Sequence, residues 1–220
     1  MGRSTFTFKI ENPSTSSGRQ HTRNMLKRIF DIVISFTGLL VLFPLFVIFA
    51  LFIILNSGFP VFYFQKRVGK NGADFSIWKF RTMKKGSDKS GSLTVGEKDP
   101  RITEIGQFLR SYKIDELPQL FNVLTGSMSL VGPRPEVRKY VEMYNAEQKK
   151  VLLVKPGITD YASIVYSNEN SLLSNAEDPE QLYINKVMPA KLKLNLKYIE
   201  DKNFFRDVNI ILKTIGKILD

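Results

Sequence analysis

Cysteine is absent from this 220-residue chain, and histidine occurs once, as His21 in a polar N-terminal stretch. Without cysteine there is no disulfide, no thiolate-bound zinc and no thiol nucleophile. With a single histidine in such a position, a Ser-His-Asp triad or a histidine-rich metal centre has nothing to be built from. Acidic residues are also scarce, 21 against 32 Lys and Arg, for a net charge of +11. That balance favours anionic partners such as nucleic acid, phosphosugars or an anionic membrane face. The side chains left for chemistry are carboxylates, lysine and tyrosine, with a hard metal on oxygen ligands, most simply Mg²⁺. The length suits one domain with appendages and is enough to bury a core.

Charge of either sign is missing from Ile32 to Leu55. At about 1.5 Å per residue a straight helix of this length could cross a bilayer. Pro44 lies in its middle and removes a helical hydrogen bond, which leaves two arms of about 16–18 Å each. Arg19, Arg23, Lys27 and Arg28 precede the run, and Lys66, Arg67 and Lys70 follow it. Positive flanks belong on the cytoplasmic side. With both flanks positive, a re-entrant helix satisfies the rule, and a kinked single span is the alternative. Either way the run turns the choice of partner toward the lipid bilayer and away from nucleic acid. Residues 1–24, rich in Ser, Thr and Asn, read as a flexible tail rather than a signal peptide, since no small-residue cleavage site follows the apolar run.

Val61 to Lys85 alternates like two strands around the turn Gly69-Lys70-Asn71-Gly72. Lys84 to Pro100 reads as a loop. Short amphipathic helices are expected over Ile102–Tyr112 and Leu117–Leu124, with Gly126 ending the second. Glu136–Val154 reads as a charged helix broken by Lys155-Pro156-Gly157, and Ser167–Gln181 as a polar loop. Pro189–Glu200 and Phe205–Leu219 read as helices. The last is amphipathic and basic, which suits a membrane surface or a core-facing terminal helix equally.

Three adjacent acid pairs occur, and only Asp115-Glu116 opens an apolar helix pattern. Acids in a first turn complement the helix dipole, which is an ordinary structural reason for them. Here Arg110 and Lys113 precede the pair, and the rigid turn Gly132-Pro133-Arg134-Pro135 follows. Adjacent helical residues point about 100° apart, so one carboxylate could face a phosphorus while the other holds a metal. A carboxylate can attack phosphorus covalently when Mg²⁺ and Arg neutralise the phosphate oxygens. Lys79 and Arg81, two apart on one strand face, are candidates for a second anion contact or for a solvated edge.

Several motifs in order resemble the bacterial sugar transferases, the monotopic polyprenyl-phosphate phosphoglycosyl transferases. They are L-K-R-I-F-D-I, K-F-R-T-M, I-D-E-L-P-Q-L-F-N-V-L, M-S-L-V-G-P-R-P and K-P-G-I-T, spread from Lys27 to Leu219. The resemblance implies a mainly α fold with a small β-hairpin, in a monotopic membrane protein whose re-entrant helix bends at a proline, matching Pro44. It implies a tail over 1–24, a membrane helix over 25–58 flanked by Lys27 and Arg28, and a catalytic domain over 59–220 with amphipathic interfacial helices. That domain would face the cytoplasm at the bacterial inner membrane. Asp115 would attack the β-phosphate of a UDP-sugar and release UMP, and the phosphosugar would pass to a polyprenyl phosphate, usually undecaprenyl phosphate. Glu116, with Asp115 beside it, would bind Mg²⁺. Arg81, Arg110 and Arg134 match basic positions near the phosphates, with Lys79 close by, and Lys155, Pro156, Gly157 and Thr159 match a loop near the nucleotide.

Two departures stand out. Many members have Ser before the bending proline where this chain has Phe43, and Gly-Trp after P-G-I-T where it has Asp160-Tyr161. The expectation is a minimal catalytic form without the multi-span N-terminal domain of larger relatives, with an oligomer left open. Competing readings are a non-catalytic basic membrane adaptor and a glycosyltransferase that releases UDP.

Overall fold

The computed structural model describes residues 13–87 and 99–219. Residues 1–12 of the tail expected over 1–24, and most of the loop before Pro100, lie outside them. Helix α1 (Pro13–Ser57) begins well ahead of the apolar run and takes in Pro13–Asn24. It is followed by β1 (Phe62–Val68), β2 (Asp74–Phe80), α2 (Glu104–Ser111), α3 (Gln119–Thr125) and β3 (Ser129–Val131). Then come α4 (Arg138–Val141), β4 (Gly157–Thr159), α5 (Tyr161–Val165), α6 (Glu169–Ser174), α7 (Pro179–Leu182), α8 (Met188–Asp201) and α9 (Phe204–Leu219). The protein is mainly helical with a small hairpin, as the sequence suggests.

Strands β1 and β2 pair antiparallel from Phe62↔Phe80 to Val68↔Asp74. Their turn needs two left-handed residues, and Asn71 (φ 58) and Gly72 (φ 76) are the types that accept this. A second, two-stranded parallel pairing, β3 with β4, was not foreseen. It matters because it lays the Gly132–Pro135 turn against the Lys155–Thr159 loop.

Two expectations fail. Glu136–Val154 is not one helix but α4 and a separate 3₁₀ turn, Gln148–Leu153. Asn145 and Gln148 explain the restart: each side-chain oxygen accepts from the other's backbone N–H at 2.9 Å, a reciprocal cap that begins a new turn. The polar stretch Ser167–Gln181 holds α6 and α7. Asp178 caps α7 by accepting from Gln181 N at 3.0 Å, with Pro179 in the first turn.

Three apolar clusters hold the molecule together. Tyr140, Tyr144, Leu173, Tyr183, Val187 and Leu192 join α4 to the segment from α6 to α8. Leu120, Val123, Met128, Leu130, Tyr198 and Ile210 join α3, β3, α8 and α9, with Phe30, Leu39 and Leu42 of α1 packed on them. Phe46, Phe49 and Ile53 of α1 close over Phe80 and Leu109. Helix α1 therefore touches the domain along one face from Phe30 to Ile53. Its other face is bare, with Leu40, Val41, Phe43 and Leu55 each at least 64% exposed. Asn24–Ser57 is long and apolar enough, by length and composition, to cross a membrane. Such a continuous exposed apolar surface marks a contact with lipid or another apolar partner.

Candidate active site

The acids do not sit in the first turn of α3. Ile114–Glu116 form a 3₁₀ turn just ahead of it, joined through Leu117 and Pro118. Lys113, at φ 56, enters that turn in the left-handed region, a conformation costing about 1 kcal/mol or more for a non-glycine residue. The helix behind the turn is fastened at several points. Asn122 Oδ1 accepts from Trp78 N at 2.9 Å, and its Nδ2 donates to Ser76 O at 2.8 Å, which docks α3 on β2. Arg28 donates to the last carbonyls of α3, Val123 O at 2.6 Å and Leu124 O at 2.9 Å. Docking on β2 brings Lys79 to the acids, and Lys79 Nζ donates to Glu116 Oε1 at 2.8 Å.

Arg134, from the turn after β3, also donates to Glu116 Oε1. Its turn is fixed by backbone contact between β3 and β4. Gly132 N donates to Thr159 O and Gly157 N to Pro133 O, both at 3.0 Å. A Cβ at Gly157 would lie 2.1 Å from Gly132 N, so only glycine allows this approach. Asp160, fully buried, accepts from Arg134 N at 3.2 Å and caps α5 through Ser163 N at 2.6 Å.

The two carboxyls are electrostatically distinct. Burial pushes Asp115 above the usual carboxylate range, and the Glu116 charge adds to this, while Lys79 opposes it. Burial also pushes Glu116 up, but the charges and hydrogen bonds of Arg134 and Lys79 outweigh it and hold its carboxyl well below that range. Burial lowers the Lys79 ammonium against the pull of the two acids, and Glu116 raises the Arg134 guanidinium further. Glu116 is thus a fixed anion between two cations, and Asp115 is the less stabilised, more basic carboxylate. Both lie on an open cleft of about 1310 Å³, which Lys79, Arg110, Arg134 and Thr159 also line.

The other sequence candidates divide. Arg81, just after β2, lines the cleft, and its Nη2 caps the end of α1, donating to Ser57 O at 2.9 Å, Ser57 Oγ at 2.8 Å and Gly58 O. Lys155 lies beside Arg28 and Gly126 rather than on the cleft, and Pro156 and Gly157 serve through their backbone as the platform for Arg134. Thr159 does reach the cleft, sharing a 2.6 Å hydrogen bond with Thr214 of α9. Lys27 pairs with Asp207. Sequence reasoning missed Asn122, Asp160 and Asp31. Asp31 accepts from Ser129 Oγ at 2.8 Å and Leu130 N at 3.2 Å, so it ties α1 to the strand that leads to Arg134. Each carries a local signal without its role: Asn122 is a polar residue amid leucines, Asp160 departs from the family pattern after P-G-I-T, and Asp31 lies within L-K-R-I-F-D-I.

Among the described residues no three acidic or histidine side chains converge as a metal cage. Two adjacent carboxylates are nevertheless the donor set Mg²⁺ uses when substrate phosphates complete its shell. The site fits the ion on those terms, with Glu116 shared between it and the two cations.

The raised Asp115 carboxyl carries a pH consequence. A reaction that needs its anion should weaken as pH falls through a value above the ordinary Asp pKa of about 3.9. Single-turnover rates against pH are expected to show that acid limb, and a rate flat down to pH ~4 would contradict it.

The sequence profile of the bacterial sugar transferases matches residues 22–220. A UDP-N-acetylgalactosamine-undecaprenyl-phosphate N-acetylgalactosaminephosphotransferase of Aeromonas hydrophila is 36% identical over 88% of the chain. The sugar transferase EpsL of Bacillus subtilis, uncharacterized, is 37% identical over 89% of the chain and 88% of its own length. A UDP-glucose:undecaprenyl-phosphate glucose-1-phosphate transferase of Escherichia coli is 36% identical over 88% of the chain. The chain spans 44% and 40% of the Aeromonas and Escherichia proteins.

Proposed function

Because the chain belongs to the bacterial sugar transferase family, we propose that it moves a phosphosugar from a UDP-sugar to a polyprenyl phosphate through a covalent intermediate on Asp115. The observation that carries this reading is the split pair: a buried, destabilised carboxylate beside one locked between Lys79 and Arg134. An Asp115 oxygen attacks the β-phosphorus of the donor, the bond from that phosphorus to the bridging oxygen breaks, and UMP leaves. An oxygen of the polyprenyl phosphate then attacks the same phosphorus. The bond to Asp115 breaks, its carboxylate returns, and a polyprenyl diphosphosugar is formed. Lys79 and Arg134 spread positive charge at the site while their contact with Glu116 keeps them in place. Arg134 keeps 36% of its side chain exposed, so its fork can hold Glu116 and a phosphate oxygen together. Mg²⁺ on Glu116 and Asp115 would neutralise phosphate oxygens during attack.

The nucleotide released tests the reaction against its competitors. UMP is expected, dependent on Mg²⁺ and absent in excess chelator. UDP would identify transfer of the sugar alone, and no nucleotide an adaptor.

The same reading places α1 as a re-entrant helix at the bacterial inner membrane, with the domain facing the cytoplasm. Support comes from contact at both ends. Lys27 and Arg28 bind the domain before the apolar run, and Ser57 and Gly58 are held by Arg81 after it. A helix that spans ~30 Å of hydrocarbon would separate those ends onto opposite faces. Pro44 leaves the Leu40 carbonyl without its helical donor and gives the bend a place. A single cysteine at Ser16 should be labelled only from the cytoplasmic side, and Pro44→Leu should move part of the population to periplasmic labelling. Periplasmic labelling of the unsubstituted helix would show an ordinary span.

A further inference from the structure

Arg134 belongs to a chain of contacts that the transfer chemistry leaves unused. Two residues on, Glu136 accepts from Arg67 Nη1 at 2.8 Å and from the Tyr183 hydroxyl. Lys191 lies over the Tyr183 ring, with Nζ 5.9 Å from its centroid, and that Nζ donates to Glu169 Oε2 at 2.6 Å. Glu169 in turn lies close enough to Arg134 for its charge, after those of Glu116 and Asp160, to help raise that guanidinium. The contacts thus lead from Arg134 round to an ion pair that stands beside it. Arg134, Glu136, Tyr183, Lys191 and Glu169 all line the cleft.

Glu169 opens α6 and Lys191 lies in α8, so the pair joins two walls of the cleft. Their side chains keep 23% and 14% of their surface exposed, which leaves both within reach of a ligand. Glu169 Oε1 has no hydrogen-bond partner among the described residues, and Lys191 gives only one of its N–H groups to Glu169. The residues around Glu169, from Ser167 to Ser171, line the cleft without a break and are all polar.

We propose that Glu169 and Lys191 grip two neighbouring hydroxyls of the donor's sugar and so select which UDP-sugar the protein accepts. The inference rests on the reading of the reaction given above. As a unit the pair is neutral, so it exerts little net pull on a phosphate. A hydroxyl both donates and accepts. One sugar hydroxyl therefore donates to Glu169 Oε1, and its neighbour accepts from Lys191, both in charge-assisted hydrogen bonds. Neighbouring hydroxyls on a pyranose ring stand a hydrogen-bond length apart, which is the spacing of the pair. Position favours the sugar over the uridine. The sugar hangs from the phosphorus that Asp115 attacks, beside Arg134, whereas the uridine is separated from it by the second phosphate. An epimer that turns one hydroxyl away leaves a charged group in the cleft without its partner, which is how such a site discriminates.

Binding tests this without turnover when the full protein carries Asp115→Asn, which cannot form the ester. Calorimetry with Mg²⁺ compares UDP-glucose, UDP-galactose, UDP-N-acetylglucosamine, UDP-N-acetylgalactosamine and UDP. Adding Glu169→Gln should weaken the tightest of the four sugars by about tenfold or more and leave UDP within about twofold. The spread between the tightest and the weakest sugar should narrow. An equal loss for UDP, an unchanged sugar affinity, or four sugars that bind no tighter than UDP would overturn the clamp.

A second measurement keeps residues 169 and 191 as they are and so does not depend on the fold of a variant. Deoxy analogues of the tightest UDP-sugar, each lacking one ring hydroxyl, should lose affinity mainly at two adjacent positions. One of those losses should disappear in Glu169→Gln, the non-additivity expected of groups in direct contact. Losses spread evenly around the ring, or centred on hydroxyls that are not neighbours, would remove the proposal. Sugar discrimination that depends on Glu169 in a protein that forms no phosphosugar adduct would uphold the clamp and remove the reaction instead.

Discussion

Asp115→Asn is expected to lose at least about 10³-fold in turnover, the scale seen when a nucleophile is removed from a preorganised site. Asparagine keeps the shape and cannot form the phosphosugar ester. The substitution should not unfold the protein and is expected to raise its melting temperature. The Asp115 carboxyl is raised in the folded state, so its favourable contribution exists below the unfolded pKa and disappears as pH rises through the folded one. At neutral pH the buried anion opposes folding, and a neutral amide relieves that. Loss of activity with unchanged or higher thermal stability separates a nucleophile from a structural acid. Turnover within tenfold of the parent would contradict the assignment.

Glu116→Gln should fail differently, losing both activity and stability. Glutamine offers no charge to Lys79 and Arg134, which stay partly buried and repel each other. The expected loss is about 2–4 kcal/mol, below that for a fully dry pair because Arg134 retains contact with water. Its sign with pH is opposite to that of Asp115. The Glu116 carboxyl is held low, so its contribution is present above the unfolded pKa of about 4.3 and is lost as pH falls toward the folded one. Thermal melts of parent and variant should differ most near neutral pH and converge in acid. A gap that widens in acid would show that Glu116 is not the anion of this cluster.

Much of this site was legible because its parts are local. The stretch from Arg110 to Glu136 carries the acids, the helix behind them and the arginine turn within one continuous segment. Apolar periodicity placed α3, and Asn71-Gly72 placed the hairpin. What stayed hidden depends on contacts between distant segments. Arg28 reaches carbonyls and Asp31 a strand almost a hundred residues away, and nothing beside either residue announces the partner. Strand alternation puts Lys79 and Arg81 on one face, but β2 ends at Phe80. Arg81 lines the same cleft as Lys79 and Glu116, but its hydrogen bonds go to the end of α1 rather than to the acids. The K-P-G-I-T loop reaches the cleft through Thr159, and its glycine and carbonyls also support the arginine turn, a role visible only once β3 and β4 are paired.

The covalent step is tested most directly by mixing the protein with a UDP-sugar and Mg²⁺ and no acceptor, then measuring intact mass and mapping the modified peptide. The expected result is one phosphosugar added per chain on Asp115, formed with one equivalent of UMP and discharged when polyprenyl phosphate is supplied. Full transfer to acceptor without any such adduct, or an adduct that persists in Asp115→Asn, would contradict it.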